Sequence, residues 1–280
     1  MTLRTVALLA FVPLTMVAAD DSPQSQAWTQ IHEGVASTKW LTRQQAAASL
    51  SATAPTGEPV RLLISLLEDQ TPDVRQTAAA ALGQLKARAA LPALKKAMDD
   101  EDPGVVFFAV RALWDMGDLS GREDLEEILG KERAPAVGGV QGAVRSMKKK
   151  MENPKEVALM GARIASGFVL GPFGIGVTAS MELLKDSGAA ARAVSAEMLA
   201  EHCTAESRKV LEARLAAESS EAVKTAIARA LGSCNDPASI PMLAAYLNDS
   251  RDSIRLMSAA SIVRLSEKPA PRGRNPKKTR

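Results

Sequence analysis

Four side chains could carry metal or nucleophilic chemistry: His32, His202, Cys203 and Cys234. A zinc site needs about four nitrogen, sulfur or oxygen ligands at close spacing, and His202, Cys203 and Cys234 form only a partial set. A cysteine nucleophile needs a histidine that faces its thiol, whereas neighbouring residues at a helix end, such as His202 and Cys203, point apart. The sequence therefore predicts no metal site and no catalytic centre.

Composition and charge exclude other functional classes. Apolar residues make up 46% of the chain, which excludes a disordered protein. No glycine-rich phosphate loop, nucleophile elbow or metalloprotease helix is present, so no cofactor is expected. Removing the charge of Arg4 and the six basic charges of residues 268–280 from the net +3 leaves residues 20–267 at −4. Binding to duplex DNA requires a basic stripe on the folded surface, so nucleic acid is not predicted as a partner.

The first residues are typical of an export signal. A short basic stretch around Arg4 precedes the apolar residues 5–16, and Val17, Ala18 and Ala19 supply small residues before Asp20. This pattern predicts a secretory signal peptide over residues 1–19 that is cleaved after Ala19. We therefore expect the protein to be periplasmic or extracellular.

One segment recurs through the chain at a spacing near 31 residues. The template is residues 74–83, and in it Val74, Ala78 and Leu82 fall on one face of a helix. The other copies are residues 42–51, 105–114, 191–200, 223–232 and 254–263, with a weaker copy at 136–145. Each copy is predicted to be the second helix of a two-helix hairpin.

A first helix with its own apolar stripe precedes most copies. The stripes are Val60, Leu63, Leu66 and Leu67; Leu91, Leu94 and Met98; Leu125, Ile128 and Leu129; Leu211 and Leu215; and Ile240, Leu243 and Leu247. Proline and aspartate in the connecting turns favour helix starts. Because one hairpin cannot bury its stripe alone, the units must stack. The prediction is an all-α fold, an α-solenoid of about six to seven two-helix repeats.

The repeated motif, a turn Asp-x-x-Val-Arg followed by Ala-Ala-x-Ala-Leu-Gly, resembles HEAT-like repeats, in particular the short type of the phycobilisome lyases. The resemblance covers roughly residues 26–152 and 186–266. It implies the solenoid fold. For function it implies a range of roles, from scaffolds and adaptors to a few enzymes, and no catalytic position of the lyases maps onto this chain.

An apolar, glycine-rich insert, residues 153–185, interrupts the array. Residues 164–181 are uncharged and contain Phe168 and Phe173. Three interpretations are open: a transmembrane helix, an apolar loop that contacts a membrane or a partner, or two helical arms packed on the solenoid. Spanning conflicts with the lysines that would flank the segment outside the cell.

The cysteines leave two alternatives open. Cys203 and Cys234 lie at nearly matching ends of adjacent repeats. Stacked helices lie about 8–10 Å apart, beyond ideal disulfide reach, but a one-residue offset could close the gap. The sequence fits either a disulfide or two free thiols.

Basic residues recur at one repeat position: Arg43, Arg75, Arg192, Lys224 and Arg255. They predict a ladder that binds turn carboxylates such as Asp73 and Asp252 and holds the repeats in register. The alternative is a basic line, including Arg75 and Arg192, that binds an acidic peptide.

The basic position is lost in the middle of the chain, where Val106 replaces it and Phe107 and Phe108 follow. Together with Phe168 and Phe173 they are the phenylalanines after residue 19. Aromatic anchors dominate binding energy, so these residues predict a partner contact; the alternative is that the insert covers Phe107 and Phe108.

The domain organisation expected is a signal peptide (1–19), repeats (20–152), the insert (153–185), repeats (186–266) and a disordered basic tail (267–280). The first functional hypothesis is a non-catalytic exported scaffold that binds a protein or peptide partner on the inner face near the insert. The second is a membrane-associated module held by residues 164–181 and the basic tail, in contact with the membrane surface. The third is a lyase-like enzyme or enzyme accessory.

Overall fold

A computed structural model of the chain describes residues 21–55, 57–123 and 188–267. These residues form eleven α-helices with two short 3₁₀ helices, and they contain no strand. The helices are α1 (Pro23–Val35), α2 (Trp40–Leu50), α3 (Gly57–Leu66), α4 (Pro72–Gln84), α5 (Leu91–Ala97), α6 (Pro103–Asp115), α7 (Ala189–Glu201), α8 (Ala205–Ala217), α9 (Glu221–Ser233), α10 (Ile240–Ala244) and α11 (Asp252–Ser266).

The predicted hairpins are confirmed within these ranges. The second helices are α2, α4, α6, α7, α9 and α11, and α1, α3, α5, α8 and α10 are first helices. The predicted core stripe of α4 is fully buried, with Val74, Ala78 and Leu82 at 0% exposure. The all-α solenoid predicted from the repeat is therefore the observed fold.

The ends of the second helices repeat as well. Proline opens both α4 and α6, and the Asp102 side chain accepts hydrogen bonds from the N–H groups of Gly104 (2.9 Å) and Val105 (3.3 Å). After α4, α6 and α9, a residue with positive φ ends the helix: Lys86, Gly117 and Asn235. Such a left-handed residue satisfies carbonyls at the helix end and turns the chain toward the next repeat.

The helices stack in an order that differs from their order in the chain. Helix α7 packs on α9 and α9 on α11; α11 packs on α1 and α2, and the stack continues through α4 to α6. The C-terminal repeats and the N-terminal repeats thus form one array, joined where α11 meets α1 and α2. Gly34 in α1 permits this contact, because a Cβ there would lie 2.6 Å from Cδ2 of Leu256.

Polar contacts strengthen the junction between the two chain ends. Thr42 in α2 donates a hydrogen bond to Asp252 at the start of α11. Arg229 in α9 reaches over α11 and donates to the Ser51 hydroxyl after α2 (2.9 Å). Burial lowers the pKa of Arg229 to about 9, against the opposing charge of Glu197. Ten of the fifteen residues of α11 are buried.

Several predicted segments lie outside the described residues: the signal peptide 1–19, the repeat copy 136–145, the whole insert 153–185 with its apolar segment 164–181, and the tail from 268 onward. Over the ranges that are described, no helix has both the length and the hydropathy needed to cross a membrane.

Candidate partner-binding surface

A ladder of three ion pairs links repeats to their neighbours along the edge formed by the turns. The Nε of Arg43 lies 2.6 Å from Asp69, Nη2 of Arg75 lies 2.7 Å from Asp100, and Nε of Arg192 lies 2.9 Å from Glu218. In each pair the carboxylate belongs to the turn of the following repeat. Arg75 also donates to the carbonyl oxygen of Asp69 (2.8 Å), so one guanidinium ties two turns together.

The carboxylates of the ladder differ in part from those predicted. Arg43 and Arg75 bind Asp69 and Asp100, not Asp73, because each arginine extends toward the turn of the next repeat and not along its own helix. Asp252 does bind an arginine, Arg255 of its own helix (2.5 Å). There the next repeat in the stack is α1–α2, whose connecting turn contains no carboxylate.

This geometry argues against a basic line that includes Arg75. Arg75 is only 7% exposed, and its hydrogen bond to Asp100 raises its pKa against the opposing effect of burial. A guanidinium held this way is not free to bind an acidic peptide, so the structure places Arg75 in the ladder. Arg192 is half-exposed but is paired with Glu218 as well.

The ladder ends at α6. Val106, which occupies the arginine position, is buried. Phe107 and Phe108 follow it with their rings perpendicular and 5.5 Å apart. Phe108 packs against the core and is half-buried. In α6 a buried valine therefore takes the position that arginine has in α2 and α4.

Phe107 occupies a position that faces the next repeat elsewhere in the stack. Its equivalent in α4 is Gln76, whose Nε2 donates to Asp102 at the start of α6 (2.8 Å). Gly83 lies on the same face of α4 as Gln76, and a Cβ atom at Gly83 would come within 2.9 Å of the Ala112 backbone. The stacking face of α4 is therefore small and polar and allows a close approach of the two helices.

On α6 the same face is large and apolar. Trp114 stands where α4 has Gly83 and lies seven residues after Phe107, on the same side of the helix. Trp114 is 45% exposed and Leu119, in the following turn, is 56% exposed. We call Phe107, Trp114 and Leu119 the aromatic end surface. Sequence reasoning missed Trp114, although its signal was present: a tryptophan aligned with a glycine of the template.

A tryptophan at the glycine position changes what can pack there. An indole ring would fill the space that lets α4 and α6 approach so closely, and interiors of this density do not absorb such a change in volume. This face of α6 therefore differs from that of α4 in both volume and polarity.

The remaining predicted residues fall into three groups. Cys203 and Cys234 are joined in the structure, with sulfur atoms 1.99 Å apart and Cα atoms 5.3 Å apart, which is the first of the two alternatives left open by the sequence. His32 contacts Glu58 (2.9 Å) and the ring of Trp28. Phe168 and Phe173 lie outside the described residues. In the described part of the chain, no group of three or more metal-ligating side chains occurs.

Comparison with solved structures finds distant likenesses. Human deoxyhypusine hydroxylase is 20% identical, with 86% of this chain and 84% of that chain covered and a TM-score of 0.29. The complex of CpcE and CpcF of phycocyanin lyase from Nostoc sp. PCC7120 is 18% identical, with 92% and 100% covered and a TM-score of 0.32. An engineered protein is 17% identical, with 86% and 96% covered and a TM-score of 0.29. At these values no activity is transferred to this chain.

No curated protein matches the sequence. A family model described as HEAT repeats matches residues 60–144 and 178–263, more than half of the chain. This match agrees with the paired helices and the recurring ladder, and the chain belongs to the HEAT-repeat family.

Proposed function

We propose that the chain is an exported, non-catalytic scaffold that binds a protein or peptide partner at the aromatic end surface and on the adjoining inner face. HEAT arrays are extended surfaces that commonly bind other proteins. The observation that carries the proposal is the exchange of Gln76 and Gly83 in α4 for Phe107 and Trp114 in α6. Trp114 and Leu119 are exposed and Phe107 is half-buried, and a partly exposed apolar cluster in an otherwise alanine-rich array favours an interaction site.

The cysteines and the first residues support export. A disulfide persists in oxidising compartments and is rare in the cytosol, and Cys203 and Cys234 lie at bonding distance. The signal-peptide pattern at 1–19 is an independent indication from the other end of the chain.

The test is crosslinking of the tagged, exported protein in its native cells, followed by mass spectrometry of what co-purifies. We expect one stoichiometric protein, crosslinked at or near Phe107 or Trp114. Replacing either residue with serine should reduce its recovery at least about tenfold, since truncating a central aromatic anchor costs about 2 kcal/mol or more.

A matched control is available. Trp40 is 45% exposed, as Trp114 is, but lies at the start of α2, so Trp40→Ser should leave recovery of the partner unchanged.

Melting temperatures of the variants separate a loss of binding from a loss of folding stability. Leu82→Ala, in the core, should cost about 2–5 kcal/mol, whereas Phe107→Ser should lose roughly 1 kcal/mol, mainly its ring contact with Phe108.

Three outcomes would overturn the proposal. Equal losses for Trp40→Ser and Trp114→Ser would show that the aromatic end surface is not the contact. A loss of stability for Phe107→Ser as large as that for Leu82→Ala would place Phe107 in the core. Recovery of membrane lipid and no protein would favour the membrane-associated module.

A further inference from the structure

Helix α7 packs on the array with little apolar burial. Among its side chains whose burial the structure describes, those that are buried are all alanines: Ala189, Ala193 and Ala196. Its larger apolar side chains are exposed instead: Val194, Met198 and Leu199. Helix α9, by comparison, buries three large apolar side chains: Val223, Ile227 and Leu231. Because hydrophobic stabilisation grows with the apolar area that is buried, α7 is held less firmly by packing than α9.

The two ends of α7 are fixed in different ways. At the first turn, Nε of Arg192 lies 2.9 Å from Glu218, which comes just before α9. At the other end, His202 follows the helix with φ −125°, so α7 does not end with the left-handed residue that follows α4, α6 and α9. Cys203 comes next and is bonded to Cys234, which directly follows α9. The disulfide therefore anchors the C-terminal end of α7.

An acidic side chain of α7 opposes its docking. Glu197 is half-buried and close enough to Arg229 of α9 to interact with its charge. Burial raises the pKa of Glu197, and the charge of Arg229 offsets this effect only in part. An acid whose pKa is raised by folding destabilises the docked state at neutral pH, because its charged form is more stable in water. The disulfide holds α7 in place against this cost.

The rest of the array has contacts that do not involve α7. Helix α8 buries Leu211 and Leu215, and the Tyr246 hydroxyl donates a hydrogen bond to the carbonyl oxygen of Leu215 (3.2 Å). Helix α9 packs on α11 and α8 as well as on α7. Undocking of α7 would leave these contacts in place.

We propose that the bond between Cys203 and Cys234 is a redox switch: it keeps α7 docked on α9, and its reduction releases α7 while the stack from α9 to α6 stays folded. Both cysteines are partly exposed, and exposed disulfides are the ones that act as labile, regulatory bonds. Release uncovers the side of α9 on which α7 packs. The switch lies at the opposite end of the stack from the aromatic end surface.

The reductant is a dithiol, either a small molecule or a protein. One of its thiolates attacks a sulfur of the disulfide, the bond between the two Sγ atoms breaks, and the second thiolate resolves the mixed disulfide. Cys203 and Cys234 receive two electrons and two protons and become thiols. The dithiol is oxidised to a disulfide.

The direct test is amide hydrogen exchange of the full chain, measured before and after reduction with dithiothreitol. We expect the exchange of residues 192–201 to accelerate at least about tenfold more than that of α4 and α11, since the constraint that is lost acts on α7. The double variant Cys203→Ser, Cys234→Ser should exchange like the reduced protein, with or without dithiothreitol. Unchanged protection of α7 after reduction would overturn the proposal, and so would an equal acceleration in α7, α9 and α11, which would show a loss of stability across the whole array.

A second measurement uses a protease that cuts after glutamate. Glu197 and Glu212 are both half-buried glutamates within helices, the first in α7 and the second in α8. After reduction, cleavage should begin at Glu197 and not at Glu212, which accepts hydrogen bonds from Arg208 and Ser239. Cleavage at both sites together, or at neither, contradicts the proposal. If the double variant does not fold, the reduced wild-type chain decides in both measurements.

Discussion

Arginine suits the ladder because its planar guanidinium binds a carboxylate with two parallel hydrogen bonds and stays charged when buried. Arg75 uses Nε and Nη2 for the two oxygens of Asp100 and Nη1 for the Asp69 carbonyl oxygen. The two bonds to Asp100 cross to the turn of the next repeat, and the bond to Asp69 holds the turn of Arg75's own repeat. Individual arginine–carboxylate pairs therefore fix how one repeat is aligned on the next.

Replacing Arg75 with alanine should lower the free energy of unfolding by about 3–5 kcal/mol, because Asp100 would be left as an unpaired, mostly buried charge. The Arg75 and Asp100 side chains are 9% and 13% exposed. Arg111→Ala is the control: the side chains of Arg111 and its partner Asp115 are 43% and 49% exposed, and such pairs contribute about 0–1 kcal/mol. Urea unfolding of both variants measures the difference, and equal losses would contradict a structural ladder at Arg75.

Acid should weaken the ladder through its carboxylates. Burial acts to raise the pKa of Asp69, but hydrogen bonds from Arg43 and from the Thr71 N–H outweigh it, and the pKa lies below its usual value. In Glu218 burial is likewise outweighed by hydrogen bonds from the Ser220 N–H and Arg192. A carboxylate with a lowered pKa stabilises the fold above its unfolded pKa, about 4, and this stability is lost as the pH falls through the folded pKa.

The melting temperature should therefore fall as the pH is lowered from about 5 to 2. Glu197 opposes this trend in part, since burial raises its pKa. Asp69→Asn isolates the ladder, because an amide does not titrate. This variant should be less stable at neutral pH and should lose less on acidification. A parallel pH profile for the wild type and Asp69→Asn would show that the pair does not contribute.

At the scale of elements, much of the fold followed from local signals. Pro72, Pro103 and the alanine-leucine stripe of the template mark second helices whose bounds the structure reproduces. The packing of α11 on α1 and α2 had no such signal. Gly34 is a small residue and Leu256 is an apolar one, and the chain contains many residues of both kinds. Only the folded stack brings these two together.

The candidate site, like the fold, was predictable from the sequence only in part. Phe107 and Phe108 were predicted from the break in the repeat. The half-exposed position of Trp114 depends on which face of α6 continues the stack, and a helical period alone does not say which neighbour a face meets. Arg75 is not free to bind a peptide because it is paired with Asp100. Asp100 belongs to the turn of the next repeat, and an alignment of the repeats does not single it out.

The disulfide joins elements at the ends of α7 and α9. It closes a sequence separation of 31 residues, for which chain entropy predicts roughly 3–4 kcal/mol of stabilisation. Reduction should therefore lower the melting temperature by several degrees. The double variant Cys203→Ser, Cys234→Ser should melt at the reduced temperature and be insensitive to reductant.

Alkylation under denaturing, non-reducing conditions checks the bond itself. The exported protein should take up no label before reduction and two labels afterwards. Two labels without reduction would establish the free thiols that the sequence also allowed.

At the scale of the whole molecule, the stack brings the first and last described helices, α1 and α11, together. The array runs from α7 through α11 to α1 and on to α6, so residues 124–187 join its two outer ends. Packing of Leu256 on Gly34 and the hydrogen bond from Thr42 to Asp252 hold α11 on α1 and α2, and a hydrogen bond from Arg229 to Ser51 links α9 to the end of α2. These contacts do not depend on a covalent link between the halves.

The two halves should accordingly stay together when the chain is cut. A protease site inserted after Pro154 gives fragments that contain α1–α6 and α7–α11, and we expect them to co-elute on size-exclusion chromatography at micromolar concentration. Leu256→Asp puts a charge into the junction, where Leu256 is at 0% exposure, and should release the fragments after cleavage, since burial of an unpaired charge is strongly unfavourable. Val210→Asp, at a residue of α8 that is 50% exposed, is the matched control and should leave them associated. Separation of the unmodified fragments would show that the junction forms only while the chain is intact, and the order of the stack would then be set by the connecting residues and not by the contact of α11 with α1.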